Sequence, residues 1–226
     1  MFREFVKELN GNRVEGELVK TILYSLLTSF IILVILYYIS FRYTADFIPK
    51  YGLYLFLIVL SYALISAMLR QVRSYKEMPC MSGMMVGMTS GMIAGFLPGF
   101  YVGATNGIFY GSVFGMVVGI SLGIYNGKCC GIMGVMEGIM AGFMGALMGA
   151  MTVLMTLNDH LKEMAVIVFI VGGMILINLN YMIYKEMRES ERQRKEDNFF
   201  TIAFTLFLII ITVLFMLYGP RGGVLG

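Results

Sequence analysis

The sequence predicts an all-α integral membrane protein of about seven transmembrane helices, N-terminus cytoplasmic and C-terminus outside, with a glycine-zipper inner bundle of helices three to five. Three observations carry that prediction. The 226 residues are 58% hydrophobic and only 14% charged, with a mean hydropathy of +0.80. No soluble domain of this size could hide so much apolar surface. Seven stretches approach the roughly 20 apolar residues that a helix needs to cross about 30 Å of hydrocarbon. Finally, every fourth residue from Gly83 to Gly131 is glycine, and the ladder resumes at Gly134, Gly138, Gly142, Gly145 and Gly149. In water each such glycine would cost a helix about 1 kcal/mol against alanine. In lipid the backbone has to be helical, and small residues four apart let helices approach closely.

The chain divides into four parts. Residues 1–20 read as a cytoplasmic amphipathic helix lying on the membrane. Phe2, Phe5, Val6 and Leu9 share one face, opposite Arg3, Glu4, Lys7 and Glu8, and Asn10-Gly11-Asn12 ends it. Residues 21–78 hold the first transmembrane pair, at about 21–41 and 51–69. The first of these reads as a signal anchor, since its apolar run is too long for a signal-peptide core. Residues 79–155 form a Gly/Met-rich three-helix core, with spans at about 79–102, 106–125 and 131–155. Pro98-Gly99 is expected to help break the chain before the turn Gly103–Gly107. Residues 156–226 supply the last pair, 163–184 and 199–218, joined by the basic inner loop from Lys185 to Asp197. With no tryptophan, tyrosine is left to supply most of an aromatic belt.

Orientation follows from the basic residues. With the N-terminus inside, the inner segments hold Arg3, Lys7, Arg13, Lys20, Arg70, Arg73, Lys76, Lys128, Lys185, Arg188, Arg192, Arg194 and Lys195. The outer segments hold only Arg42, Lys50, Lys162 and Arg221. That asymmetry is the positive-inside pattern, and merging two helices would scramble it. An internal repeat adds detail. Residues 87–96 match residues 134–143 at five of ten positions, an offset of 47. Two crossings separate the copies, so helices three and five are expected to run parallel.

Three features point beyond packing. Glu137 is the only acidic residue well inside a predicted span, about 9 Å from the start of helix five at 1.5 Å per residue. A carboxylate at such depth marks a functional site by default; the plainer reading is a glutamate that snorkels or bonds Asn178 or Asn180. The second feature is a sulfur stripe on each of two helices: Cys80, Met84, Met88 and Met92, then Cys129, Met133, Met136, Met140, Met144 and Met148. Thioethers and thiolates are soft ligands that select Cu(I) over hard cations, and weak repeated sites suit stepwise conduction. Methionine beside glycine also serves as adaptable filler. The third feature is the grouping of Cys80, Cys129 and Cys130 at the cytoplasmic end. There reduced thiols are expected rather than a disulfide, with Lys128 lowering their pKa.

These features favour a small transporter or channel for a soft metal cation, above all Cu(I), collected by Cys80, Cys129 and Cys130. Met84, Met88, Met92, Met133, Met136, Met140 and Met144 would relay the ion, and Glu137 would balance its charge. The alternative is a non-transporting scaffold or assembly subunit whose glycine ladder docks a second copy or another membrane protein. A proton or small-molecule permease centred on Glu137 is a third class. No hydrolase, nucleotide or zinc-protease motif is present, and Ser90 and Ser112 lack an intramembrane activating base, so enzymatic activity is not expected. Membrane lipid is the expected surrounding, in a cell (plasma or inner) membrane, with no nucleic-acid partner and no cofactor beyond Cu(I) itself.

Overall fold

The computed structural model describes residues 14–39, 47–75, 78–156, 160–187 and 198–220. The surface helix expected within residues 1–13 and the inner-loop charges at 188–197 lie outside these. The described residues form seven long helices: α1 (Val14–Ile39), α2 (Phe47–Ser74), α3 (Cys80–Asn106), α4 (Ile108–Gly127), α5 (Gly131–Thr156), α6 (Leu161–Glu186) and α7 (Asn198–Tyr218). Five apolar runs among them are long enough to cross a membrane, the make-up of a multi-pass membrane protein. One run, Ile108–Thr156, holds both α4 and α5.

The glycine ladder decides how the middle of the chain packs. A Cβ added at Gly91 would stand 2.7 Å from the Gly138 carbonyl oxygen, and one at Gly95 would stand 2.7 Å from that of Gly142. Only hydrogen fits at such positions, so α3 and α5 meet backbone to backbone. Gly87 faces Gly134 and Gly99 faces Ala146 in the same register. The two helices therefore run parallel and pack at an offset of 47, the offset of the internal repeat. Helix α4 lies antiparallel to both, with Gly119 against Gly95 and Gly123 against Gly138. Without a hydrophobic drive between helices in lipid, this close approach and the dispersion contacts it allows are what hold the trio together.

The turns are made where φ must be positive. Gly107, at φ 107°, is the one residue separating α3 from α4. Gly131, at φ 71°, follows the 3-10 turn Lys128–Cys130 and opens α5. Pro98 does not break α3 as expected: the helix runs through it to Asn106. Proline removes one backbone bond but leaves φ helical, whereas the reversal needs the positive-φ backbone that Gly107 supplies.

The other helices do not form an even shell around the trio. Helix α2 is itself internal, burying Ile58, Tyr62, Ile65 and Met68 among α1, α3, α6 and α7. The Tyr62 hydroxyl lies 2.8 Å from Thr212 Oγ1 on α7, and Ser61 lies 3.4 Å from the Tyr101 hydroxyl on α3. Arg70 is buried near the end of α2, where its guanidinium donates to Thr21 of α1. At the opposite end Asn106 Nδ2 donates to the carbonyls of Phe215 (3.1 Å) and Gly219 (3.2 Å), closing the end of α7 onto the end of α3. Helix α5, by contrast, leaves its outer face uncovered: Met133, Met136, Met140, Met144, Met148 and Met155 are all exposed.

Candidate functional site

Two arrangements with chemical potential lie at the same end of the trio, where α3 begins and α4 turns into α5. The first is an open cavity of about 400 Å³. Helix α3 lines it with Met81, Ser82, Met84, Met85 and Met88, α5 with Glu137, and α6 with Met182 and Glu186. Helix periodicity explains the grouping. Met84 and Met88 are four apart on α3, and Met182 and Glu186 are four apart on α6, so each pair occupies one face. Glu137 cannot enter the middle of the trio, because Gly134 and Gly138 on either side of it are pressed against α4. Its side chain lines the cavity instead and is half-buried. The Asn180 carbonyl accepts from Gln71 Nε2 at 3.1 Å.

Five thioethers and two carboxylates thus share one concave space. Thioether sulfur is a soft, weak acceptor and carboxylate supplies negative charge.

The second arrangement is the cysteine turn. Cys80, first residue of α3, is disulfide-bonded to Cys130, last residue of the 3-10 turn, with their Cα atoms 5.2 Å apart. This corrects the expectation of three reduced thiols. The register that seats Gly83 against the turn brings Cys130 to the start of α3. Cys129 remains a free thiol, half-buried, and its Sγ donates to the Asn126 carbonyl at 3.2 Å. Burial pushes the Cys129 thiol up from its ordinary value, opposite to the lowering expected from Lys128, whose side chain is exposed. Among the described residues no group of three His, Cys, Asp or Glu side chains is placed to hold a metal ion.

The remaining sulfur residues divide by face. Met84 and Met88 reach the cavity. Met92 is half-buried farther along α3, where its backbone packs against Gly145. Met133, Met136, Met140 and Met144 point outward from α5 and line no interior passage among the described residues. The centre of the trio is filled by glycine backbone. Ser90 and Ser112 both donate to carbonyls of their own helices, Gly87 at 3.2 Å and Ile108 at 2.7 Å. His160 sits at the far end of α6 in contact with Glu163, 3.2 Å away. Met81, Met85, Met182 and Glu186 were not singled out by sequence, although the i, i+4 spacing of the last two on a terminal turn was a readable signal. No family model matches the chain, and no curated protein or solved structure matches it either.

Proposed function

We propose that the protein is a seven-span membrane transporter or channel for a soft metal cation, above all Cu(I), which it takes up in the Met/Glu cavity. The charge asymmetry favours the cytoplasmic face for that cavity, beside Lys128 and Lys185. Seven spans follow if α1 crosses and if the Lys128–Cys130 turn divides the Ile108–Thr156 run into two crossings. The observation that carries the reading is the convergence of Met84 and Met88, Glu137, and Met182 and Glu186 from three separate helices. Thioethers hold the ion weakly enough to release it, and the carboxylates offset its charge or exchange a proton. The route is not through the trio, whose centre is closed by backbone. It runs along the outside of α5, where Met133, Met136, Met140 and Met144 form an enclosed path once a second copy covers that face.

The scaffold reading has less support, because the glycine faces on which a partner would dock are filled within the chain. An anaerobic Cu(I) titration of the detergent-purified, disulfide-bonded protein against a chromophoric chelator tests the proposal. Stoichiometric binding is expected, lost in Met84→Leu/Met88→Leu/Glu137→Gln and kept in Met140→Leu/Met144→Leu. Binding no greater than the detergent blank, or unchanged in the triple variant, overturns it.

A further inference from the structure

We infer that the Cys80–Cys130 disulfide is a reversible switch whose opening creates a three-thiol site for a soft monovalent cation beside the cavity. The inference rests on the soft-cation reading only for the choice of ion.

Three sulfurs converge on the first turn of α3. A Cβ built on Gly83 would lie 3.1 Å from Cys129 Sγ and 3.6 Å from Cys130 Sγ, and Cys130 is bonded to Cys80. The free Cys129 thiol and the disulfide's Cys130 sulfur therefore flank the same glycine at the start of α3. The last turn of α4 holds a buried polar side chain without a partner. The Asn126 side chain is 1% exposed, and neither of its amide atoms has a hydrogen-bond partner among the described residues. A buried carboxamide left unsatisfied is costly, and it belongs to the residue whose backbone carbonyl accepts from the Cys129 thiol.

In the bonded form two sulfurs are spent on each other and the cluster cannot act as a ligand set. A dithiol reductant transfers two electrons: the Cys80–Cys130 bond breaks, each sulfur takes up a proton, and the reductant closes its own disulfide. The products are three neighbouring thiols. A soft d10 cation then displaces their protons as it binds. The number of donors selects the ion. Zinc takes four ligands in a closed site, whereas soft thiolates select Cu(I) over harder cations. The position gives the switch its use. Cys80 leads directly into the cavity-lining Met81 and Ser82, and Cys130 precedes by two turns the helix position of Glu137. Under reducing conditions, which prevail at a cytoplasmic face, the thiols capture the ion at the mouth of the cavity; oxidation withdraws them.

The test uses the full chain in detergent, isolated under air and then reduced with dithiothreitol, which is removed under anaerobic conditions. Titratable thiols are expected to rise from one to three per chain. Cu(I) measured against the chelator should rise by one equivalent over the oxidised form. That increment should vanish in Cys80→Ser/Cys130→Ser and survive in Met84→Leu/Met88→Leu/Glu137→Gln. Three thiols titrating before any reductant is added would refute the switch, as would three thiols after reduction with no added Cu(I). Because wild type alone supplies both readings, a serine variant that fails to fold does not rescue the idea. An oxidised form that binds no Cu(I), with the increment intact, would sink the cavity proposal and leave this inference standing.

Discussion

Two alanine substitutions, eight residues apart on one helix, should have opposite effects. At Gly95 the new methyl would stand 2.7 Å from the Gly142 carbonyl oxygen, 3.1 Å from the Ala146 nitrogen and 3.4 Å from the Gly115 carbonyl oxygen. Those atoms are backbone on two neighbouring helices, so no rotamer change can relieve the clash and the helices must separate. Overpacking of this kind costs about 1–3 kcal/mol, and the absence of any flexible neighbour puts Gly95→Ala in the upper part of that range. The gain in helix propensity offsets about 0.5–1 kcal/mol. The net expectation is a loss of about 1–2 kcal/mol. At Gly103 the nearest atoms are Val153 Cγ2 at 3.5 Å and the Ala150 Cα at 3.6 Å, ordinary contact distances. There the propensity gain stands alone, and Gly103→Ala should be neutral or more stable by up to about 1 kcal/mol. Reversible unfolding in mixed micelles, followed by circular dichroism, measures both. Equal stabilities for the two variants, or a Gly95→Ala protein as stable as wild type, would refute the claim that backbone contact holds α3, α4 and α5 together.

Two further outcomes follow from polar groups at opposite ends of the molecule. Asn106→Ala removes both donations to the end of α7, from Nδ2 to the carbonyls of Phe215 and Gly219. A loss of about 1–3 kcal/mol is expected, with faster amide exchange in the last turn of α7 than in the glycine trio. At the other end, burial raises the pKa of the half-buried Cys129 thiol. A smaller fraction of it is therefore thiolate at any given pH than for a free cysteine, and the thiolate is the nucleophile. Iodoacetamide should alkylate it several-fold more slowly than a small-molecule thiol at pH 8, the gap closing as pH rises; equal rates at pH 8 would contradict the burial.

Much of the fold was legible because apolar run length and glycine spacing are local signals. The spans expected near 131–155 and 199–218 differ from α5 and α7 by a single residue at one end. The repeat offset between Gly87 and Gly134 turned out to be the packing register of α3 on α5, which sequence could suggest but not place in contact. Pro98 misled because its effect on a packed helix is smaller than the need of the turn for positive φ at Gly107. The cysteine pairing was hidden because it depends on how α3 and the turn are seated, a tertiary fact. The sulfur stripes misled for a geometric reason. Met84 follows Gly83 and Met133 precedes Gly134, and one position is roughly 100° around a helix. Once the glycines face inward, their neighbours are turned to the flank or the outside. Met84 reaches a cavity only because α6 passes close by, and Met133 is left on the open face. Glu186 fell inside the inner loop expected from Lys185 to Asp197; the approach of α6 to α3 makes it part of the cavity lining.

Where the chain keeps its freedom is also set by the ladder. Glycine has no rotamers to lose, so bringing the backbones of α3, α4 and α5 together freezes no side-chain torsions at those positions. Methionine, with three rotatable bonds, is placed on the face that α5 leaves open, where its torsions stay unfrozen. The molecule thus combines an interface assembled at little side-chain entropy with a coat whose disorder survives folding. Covering that coat, as a second copy over α5 would, is the step at which the methionine entropy is finally surrendered.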